Sequence, residues 1–172
     1  ALHGEDQSTS PIFTEATAAK RKAEDEWGQI KDLDRAQEFG PRLDSIAGLL
    51  RNADKHFSQK NYGAALPLYV QALAAVKPIQ QTQQQRQAAI EVRKETENAR
   101  QKAEEVKAVI EGASLWSEAD ETQEQANRCF EAADFQTAPL RWRKASDLFE
   151  KAREKAIQAR DTAGKSRLSY ER

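Results

Sequence analysis

Apolar residues recur along the chain at alternating steps of three and four positions, which is the spacing of one face of an α-helix. The longest stretch holds this spacing without a break at Ala138, Trp142, Ala145, Phe149, Ala152, Ala156, Ala159 and Ala163. A second stretch holds it at Leu43, Ile46, Leu50, Ala53 and Phe57. The pattern predicts an all-α chain of about five helices, arranged as elongated antiparallel hairpins with coiled-coil-like packing.

The boundaries of the first two helices follow from Pro, Gly and short polar residues. Ser10 before Pro11 predicts an N-cap and the start of the first helix, whose apolar face continues to about residue 38. Gly40 and Pro41 then predict a stop and a restart. We expect the second helix to end near residues 60–61.

The later boundaries follow from the same signals. A long third helix is predicted from Tyr62 to Gly112, and Pro78 is expected to kink it or split it in two. Ser114 or Ser117 is expected to cap the fourth helix. The fifth helix follows the longest apolar stripe.

Residues 53–72 return in altered form as residues 126–145, which are 73 positions later. Every matching pair is apolar or aromatic, so the repeat describes packing and not a chemical site. The pairs are Ala53/Ala126, Phe57/Phe130, Tyr62/Phe135, Ala65/Ala138, Tyr69/Trp142, Ala72/Ala145 and Val76/Phe149. A shorter match at an offset of 80 relates residues 22–25 to residues 102–105 and Ile30 to Ile110.

The repeat predicts the organisation of the chain. Residues 1–10 form a disordered tail, residues 11–112 a leading helix with the first hairpin, and residues 113–172 a second hairpin in one continuous helical array. The first helix is interpreted as the tail of an earlier long helix, so the array is expected to continue before Ala1. The absence of Met fits a processed product or an excerpt. The compartment therefore stays open, with the cytoplasm favoured over a periplasmic or membrane-tethered location.

The order of Tyr62, Ala65, Tyr69, Ala72 and Pro78 resembles the second helix of a tetratricopeptide repeat. Residues 135–145 reproduce the same core in a second, degenerate copy, and in both copies the second helix is extended. What this resemblance implies is a fold of packed helical hairpins and a function in protein–protein binding.

Composition agrees with long helices and a narrow core. Hydrophobic residues make up 38% of the chain and charged residues 32%, with seven Gly and five Pro. The formal net charge of −1 argues against a dedicated nucleic-acid binder. No apolar run has the length of about 18 residues that a transmembrane helix needs.

Candidate chemistry is sparse. Cys129 falls on an apolar stripe and is interpreted as a buried hydrophobic residue. His3 and His56 belong to no metal-ligand motif, and His56 is the one ordered candidate for a catalytic base. Residues 159–166 resemble a phosphate loop, but Ala159 replaces its first Gly and a helix precedes it. We therefore expect no catalytic residue, cofactor or metal, and assign Phe57, Tyr62, Tyr69, Phe130, Phe135, Trp142 and Phe149 to the core.

Two polar features carry alternative interpretations. The Gln-rich residues 80–87 form either a recognition surface or a solvated helix middle, and the second is favoured. Residues 114–135 are acidic and residues 138–172 are basic. This contrast indicates either a basic face for an anion or, as favoured, complementary charge between two helices of a hairpin.

These features predict a non-catalytic helical protein–protein interaction module within a larger protein. A homo-oligomer through the Ala-rich seam of the last helix is a further possibility. The alternatives are a structural spacer, or a regulatory appendage of an enzyme whose catalytic domain lies elsewhere.

Overall fold

The computed structural model describes residues 10–34 and 39–171. Over these residues the protein is helical and has no strand, which confirms the all-α prediction. Six helices are present in the described ranges, in place of the expected five or so. They are α1 (Pro11–Ile30), α2 (Phe39–Ser58), α3 (Tyr62–Glu105), α4 (Ala108–Glu111), α5 (Ala113–Glu131) and α6 (Thr137–Tyr170). Most of the predicted tail lies outside the described residues.

The start of α1 is as predicted, but its end is not. The Ser10 hydroxyl accepts a hydrogen bond from the Phe13 amide at 3.2 Å and so caps the helix. The helix ends at Ile30, well before residue 38. Gly40 and Pro41 mark the restart as predicted, since both lie in the first turn of α2, but the preceding helix does not continue to them. A proline in that turn removes no helical hydrogen bond.

Of the two alternatives predicted at Pro78, the split is wrong, since α3 is one helix of 44 residues, and the kink stays a prediction. Proline removes one backbone donor from a helix interior and costs about 3 kcal/mol there. Buried neighbours offset that cost, because Val76 and Ile79 on either side of Pro78 have almost no exposed surface.

The end of α3 differs from the prediction as well. The helix ends at Glu105 and not at Gly112, because Lys107 takes the left-handed conformation with φ of 58°. The short α4 follows, and Gly112 then precedes α5. Neither Ser114 nor Ser117 caps α5, since both lie inside the helix and its N-cap residue is Gly112.

The chain divides between Thr82 and Gln83 into two compact units, called unit 1 and unit 2. Helix α3 contributes its first part to unit 1 and its second part to unit 2. In unit 1, α1 and α2 pack with the start of α3 around aliphatic residues, which include Leu43, Ile46, Leu50, Val76 and Ile79.

In unit 2, the remainder of α3 packs with α4, α5 and α6 around two clusters rich in Ala. Their largest fully buried side chains are Trp142 and Phe149. The apolar stripe of α6 is buried from Ala138 to Ala156, after which Ala159 is partly buried and Ala163 is exposed. Most of the seam expected to form an oligomer is therefore covered by the chain itself.

Candidate interaction surfaces

Two tight turns connect the helices of the hairpins, and their backbones are alike. Elbow 1 (residues 59–61) joins α2 to α3, and elbow 2 (residues 132–136) joins α5 to α6. Lys60 and Ala133, 73 positions apart, both have φ of 59°. The amides of Asn61 and Asp134 each donate to the carbonyl five residues earlier at 2.9 Å. This left-handed residue with its paired hydrogen bond is the Schellman way to end a helix.

A side chain in each elbow also caps the helix that follows. The Asn61 side-chain oxygen accepts from the Ala64 amide at 3.4 Å, and the Asp134 carboxylate accepts from the Thr137 amide at 3.0 Å. The hydrogen bond from the Thr137 backbone is the main cause that lowers the pKa of Asp134 below its usual value. The side chain that caps the following helix is thus neutral in elbow 1 and titratable in elbow 2.

Aromatic side chains pack in the same way above both elbows. The rings of Phe57 and Tyr62 lie 5.1 Å apart at 69°, and those of Phe130 and Phe135 lie 5.1 Å apart at 64°. These four rings are partly buried. The other aromatic residues assigned to the core, Tyr69, Trp142 and Phe149, have no exposed surface.

One polar contact crosses each hairpin at an equivalent place. The Tyr69 hydroxyl donates to the Asp54 carboxylate at 2.5 Å, and the Trp142 indole donates to the Asn127 side-chain oxygen at 3.1 Å. Burial, followed by the hydrogen bond to Asp54, raises the pKa of Tyr69 far above its usual value. Both contacts satisfy the one polar group of a buried ring.

Each hairpin packs against one further helix, here called the outer helix, which is α1 in unit 1 and the second part of α3 in unit 2. A cationic side chain from this outer helix lies over an aromatic ring of the hairpin. The Lys20 amine of α1 is 5.8 Å from the centre of the Phe57 ring, and the Arg93 guanidinium of α3 is 6.0 Å from Trp142. Each cation also pairs with the glutamate four positions later, Lys20 with Glu24 and Arg93 with Glu97. The hydrogen bond to Glu24 is the main cause that raises the pKa of Lys20. The two cations are 73 positions apart, so the correspondence at this offset extends into the outer helix.

The shorter match at an offset of 80 has no such structural counterpart. Ile30 is 2% exposed and belongs to the core of unit 1, whereas Ile110 is 70% exposed. The two isoleucines therefore occupy unlike environments, and the 73-residue register describes the outer helices better.

Arg100 is the most connected charged residue in unit 2. Its guanidinium bonds Asp120 at 2.6 Å and Gln123 at 2.7 Å, and lies 5.3 Å from the ring centre of Trp116. Burial lowers the pKa of Arg100, but hydrogen bonds to Asp120 and Glu104 outweigh it and the pKa is raised. The acidic α5 thus finds its cation on α3. Over the described ranges no ion pair joins α5 to α6. Arg141 of α6 is among the groups that lower the pKa of Asp134, and complementary charge within this hairpin stays a prediction.

The candidate nucleophile and the candidate base belong to different units. Cys129 lies in unit 2 beside the Trp142 cluster. It was predicted to be buried, but it is only partly buried. His56 lies in unit 1, and His3 is outside the described residues. In the part of the chain that the structure describes, no group of three or more His, Cys, Asp or Glu side chains could hold a metal ion.

The remaining motifs lie on helices. The Gln-rich residues 80–87 belong to α3, and from Gln84 to Gln87 their side chains are exposed. The segment that resembles a phosphate loop, residues 159–166, is an internal part of α6. It therefore has no loop backbone with which to cradle a phosphate.

Large exposed apolar side chains concentrate in two places in unit 2. On α4, Val109 is 49% exposed and Ile110 is 70% exposed. Near the end of α6, Leu168 is 64% exposed and Tyr170 is 92% exposed. Leu168 and Tyr170 lie outside the regular apolar stripes of the sequence, whereas the shorter match placed Ile110 on an apolar face.

Within residues 10–34 and 39–171, no helix is long and apolar enough to cross a membrane. No family model, curated protein or solved structure matches the chain.

Proposed function

We propose that this chain is a non-catalytic helical module that binds another protein, and that the end of α6 is its contact surface. One observation carries the proposal: α6 continues to Tyr170, although Ala156 is its last buried residue. Every side chain from Arg160 to Glu171 is exposed, and Arg160 donates to the Val106 carbonyl at 2.8 Å. From Asp161 onward the described residues make no side-chain bond to another helix. A helical segment without tertiary packing is only marginally stable in water. A partner that packs on these turns would stabilise them.

The chemistry of this segment indicates the kind of partner. Ile157 and Leu168 are eleven positions apart and so share one face of the helix. Burying an exposed side chain of this size contributes about 1.5–3 kcal/mol. Lys165 and Arg167 flank Leu168. A protein with an apolar groove rimmed by carboxylates would receive this helix in the helix-in-groove manner.

The hairpins support the same proposal by analogy. Ala65, Tyr69 and Ala72 in unit 1 are fully buried or nearly so, as are their counterparts Ala138, Trp142 and Ala145 in unit 2. A tetratricopeptide-like scaffold, which we propose for the hairpins, places such residues in its core and most often serves protein binding. This support rests on likeness of fold alone.

Site-specific photo-crosslinking tests the proposal. A crosslinking residue replaces Leu168 in one variant and Val70, which is 52% exposed on α3, in a matched control. We expect the crosslinking residue at position 168, and not the one at position 70, to capture one protein from an extract of the source cells. That protein is then purified and its affinity is measured by calorimetry, which should fall at least tenfold for the double variant L168S/Y170S. Equal affinity for the double variant and the wild type would refute the assignment.

A structural spacer is the second candidate function, and the length of α3 favours it. Helix α3 runs for 44 residues without a break. A rigid spacer predicts a narrow distance distribution between spin labels at the exposed Gln71 and Lys102. A broad distribution would exclude a rigid spacer. The third hypothesis, a regulatory appendage of an enzyme whose catalytic domain lies outside this segment, predicts that the full-length gene encodes a catalytic domain.

A further inference from the structure

A groove runs between α3 and α6 within unit 2, and its cavity has a volume of about 470 Å³. Its floor is made of small side chains, with Ala99 at 8% exposure and Ser146 partly buried. Charged side chains form its walls, among them Glu95, Lys102 and Arg153. The groove is therefore open at the centre and charged at the sides.

The corresponding face of unit 1 is built differently. The positions 73 residues before Ala99 and Ser146 carry the larger, partly buried Glu26 and Leu73. There the Gln80 side chain donates to Gln29 at 3.2 Å and bridges α3 to α1. In unit 2 the counterparts of this amide pair are Arg153 and Lys102. Two cations cannot bond to each other, so no such bridge closes the groove of unit 2.

The charges that line this groove are unpaired within residues 10–34 and 39–171. Other charged residues of the same part of α3 form ion pairs, namely Glu91 with Lys94, Arg93 with Glu97, and Arg100 with Glu104. By contrast, over the described residues no ion pair or side-chain hydrogen bond involves Glu95, Lys102, Glu150 or Arg153. These charges are available to a partner.

We propose that the occupant of this groove is a second copy of the chain, docked antiparallel about a two-fold axis between Asn98 and Ala99. Glu95 and Lys102 lie seven positions apart and symmetrically about that midpoint. Antiparallel packing of two α3 helices therefore places Glu95 of each copy opposite Lys102 of the other, and forms the same ion pair twice. Such a self-complementary patch is what a two-fold interface requires, and the small side chains at its centre let the helices approach closely.

The mixture of charges favours a second copy over a partner of a single charge. The groove carries the carboxylates of Glu95, Glu150 and Glu154 together with the cations of Lys102 and Arg153. A strongly acidic or strongly basic helix would meet like charge along part of the groove, which is costly at an interface. A second copy brings both signs, and its two-fold arrangement places Glu95 opposite Lys102.

A charge swap tests this dimer by sedimentation equilibrium of the full chain from about 1 µM to about 1 mM. Glu95→Lys alone and Lys102→Glu alone each place like charges opposite one another twice. We expect the dimer dissociation constant of each to rise by at least about tenfold. The double variant E95K/K102E restores opposite charges and should return the constant to within about threefold of the wild type.

Three controls make the outcome decisive. Glu131→Lys makes the same charge change at an exposed position of α5 and should leave the dimer unchanged. Ser146→Leu installs the residue of unit 1, fills the groove and should abolish the dimer without lowering the melting temperature. The variant L168S/Y170S should still dimerise, because this inference does not depend on the end of α6. A monomer at all concentrations, or a double variant that fails to restore the dimer, would overturn the proposal.

Discussion

Unit 1 and unit 2 have alike elbows but cover them with different chemistry. In unit 1 the Phe13 ring of α1 lies 6.3 Å from Phe57, while in unit 2 the Arg86 guanidinium of α3 lies 6.0 Å from Phe130. Phe13 and Arg86 are 73 positions apart, as are the rings that they cover. The comparison teaches that this position requires a flat group that can lie on an aromatic ring. Either an aromatic ring or a guanidinium satisfies that requirement.

The cores of the two units also differ in the residue types that fill them. The core of unit 1 is made of branched aliphatic residues such as Leu43 and Ile46 spread along the helices. In unit 2 most buried positions are Ala, and volume is concentrated in Trp142 and Phe149. Unit 2 therefore depends on a few large rings, and losing one of them should be costly.

The largest effect is expected from Trp142→Ala, which empties the centre of the Trp142 cluster. It should lower the free energy of unfolding by about 3–5 kcal/mol, measured by urea denaturation. Trp142→Phe keeps an aromatic ring but leaves the Asn127 oxygen without its donor, and should cost less than the truncation. Leu140→Ala, at a site 62% exposed, is the control and should change the free energy by less than about 0.5 kcal/mol. A loss below about 1 kcal/mol for Trp142→Ala would show that unit 2 does not rest on this ring.

A smaller effect is expected at Gly112, where α4 and α5 pack against α6. A Cβ atom there would lie 2.9 Å from the Ala152 carbonyl oxygen and 3.1 Å from its Cα, and both are backbone atoms that cannot move aside alone. Gly112→Ala should therefore destabilise the protein by about 1–3 kcal/mol. Gly164→Ala is the control, because its Cβ meets open space inside α6, and it should change the free energy of unfolding by less than about 0.5 kcal/mol because it lies in the exposed end of the helix. Equal effects of the two substitutions would contradict the close packing at Gly112.

The smallest effect is expected at the two elbows, which should differ in how their contribution to stability depends on pH. Because the Thr137 amide lowers the pKa of Asp134 in the folded state, this carboxylate stabilises the protein above its unfolded pKa of about 3.9. That contribution is lost as the pH falls through the lower folded pKa. Asp134→Asn should reduce the melting temperature slightly at pH 7 and bring it closer to the wild type in acid.

The equivalent position of elbow 1 offers the reverse experiment. Asn61 cannot titrate, so Asn61→Asp should introduce the same acid-sensitive contribution into unit 1. Thermal unfolding of both variants between about pH 2 and pH 7 measures the difference. Melting curves with the same pH dependence in wild type, D134N and N61D would contradict the capping role.

The parts of the fold that were predicted correctly are those specified by apolar spacing. Buried positions in the hairpins are apolar and recur at helical steps, so the stripes of α2 and α6 were visible in the sequence. The polar partners of the hairpins were missed because Asp54 and Asn127 do not match as an apolar pair. The cations that lie over the aromatic rings of unit 2 did leave a signal in the sequence. Arg86, Arg93 and Arg100 of α3 recur at intervals of seven, which is the spacing of a single helix face.

The end of α3 could not be predicted, for a physical reason. Lys107 adopts the left-handed conformation, which lysine does not favour, whereas Gly112 offered a stronger local stop signal. The uncovered end of α6 was also beyond the sequence, because the Ala stripe continues to Ala163 while burial stops at Ala156. Periodicity predicts which face can be buried, and only the presence of a neighbouring helix decides whether it is.

Hydrogen exchange along α6 tests the central claim, that its exposed end is a binding surface, most directly. In the isolated chain, amides of residues 160–170 should exchange at least about a hundredfold faster than those of residues 142–156, since only the latter lie in the packed core. Adding the protein captured at Leu168 should slow exchange at residues 160–170 and leave elbow 1 unchanged. Protection of residues 160–170 that is already equal to the core, or that the captured protein does not alter, would contradict the account.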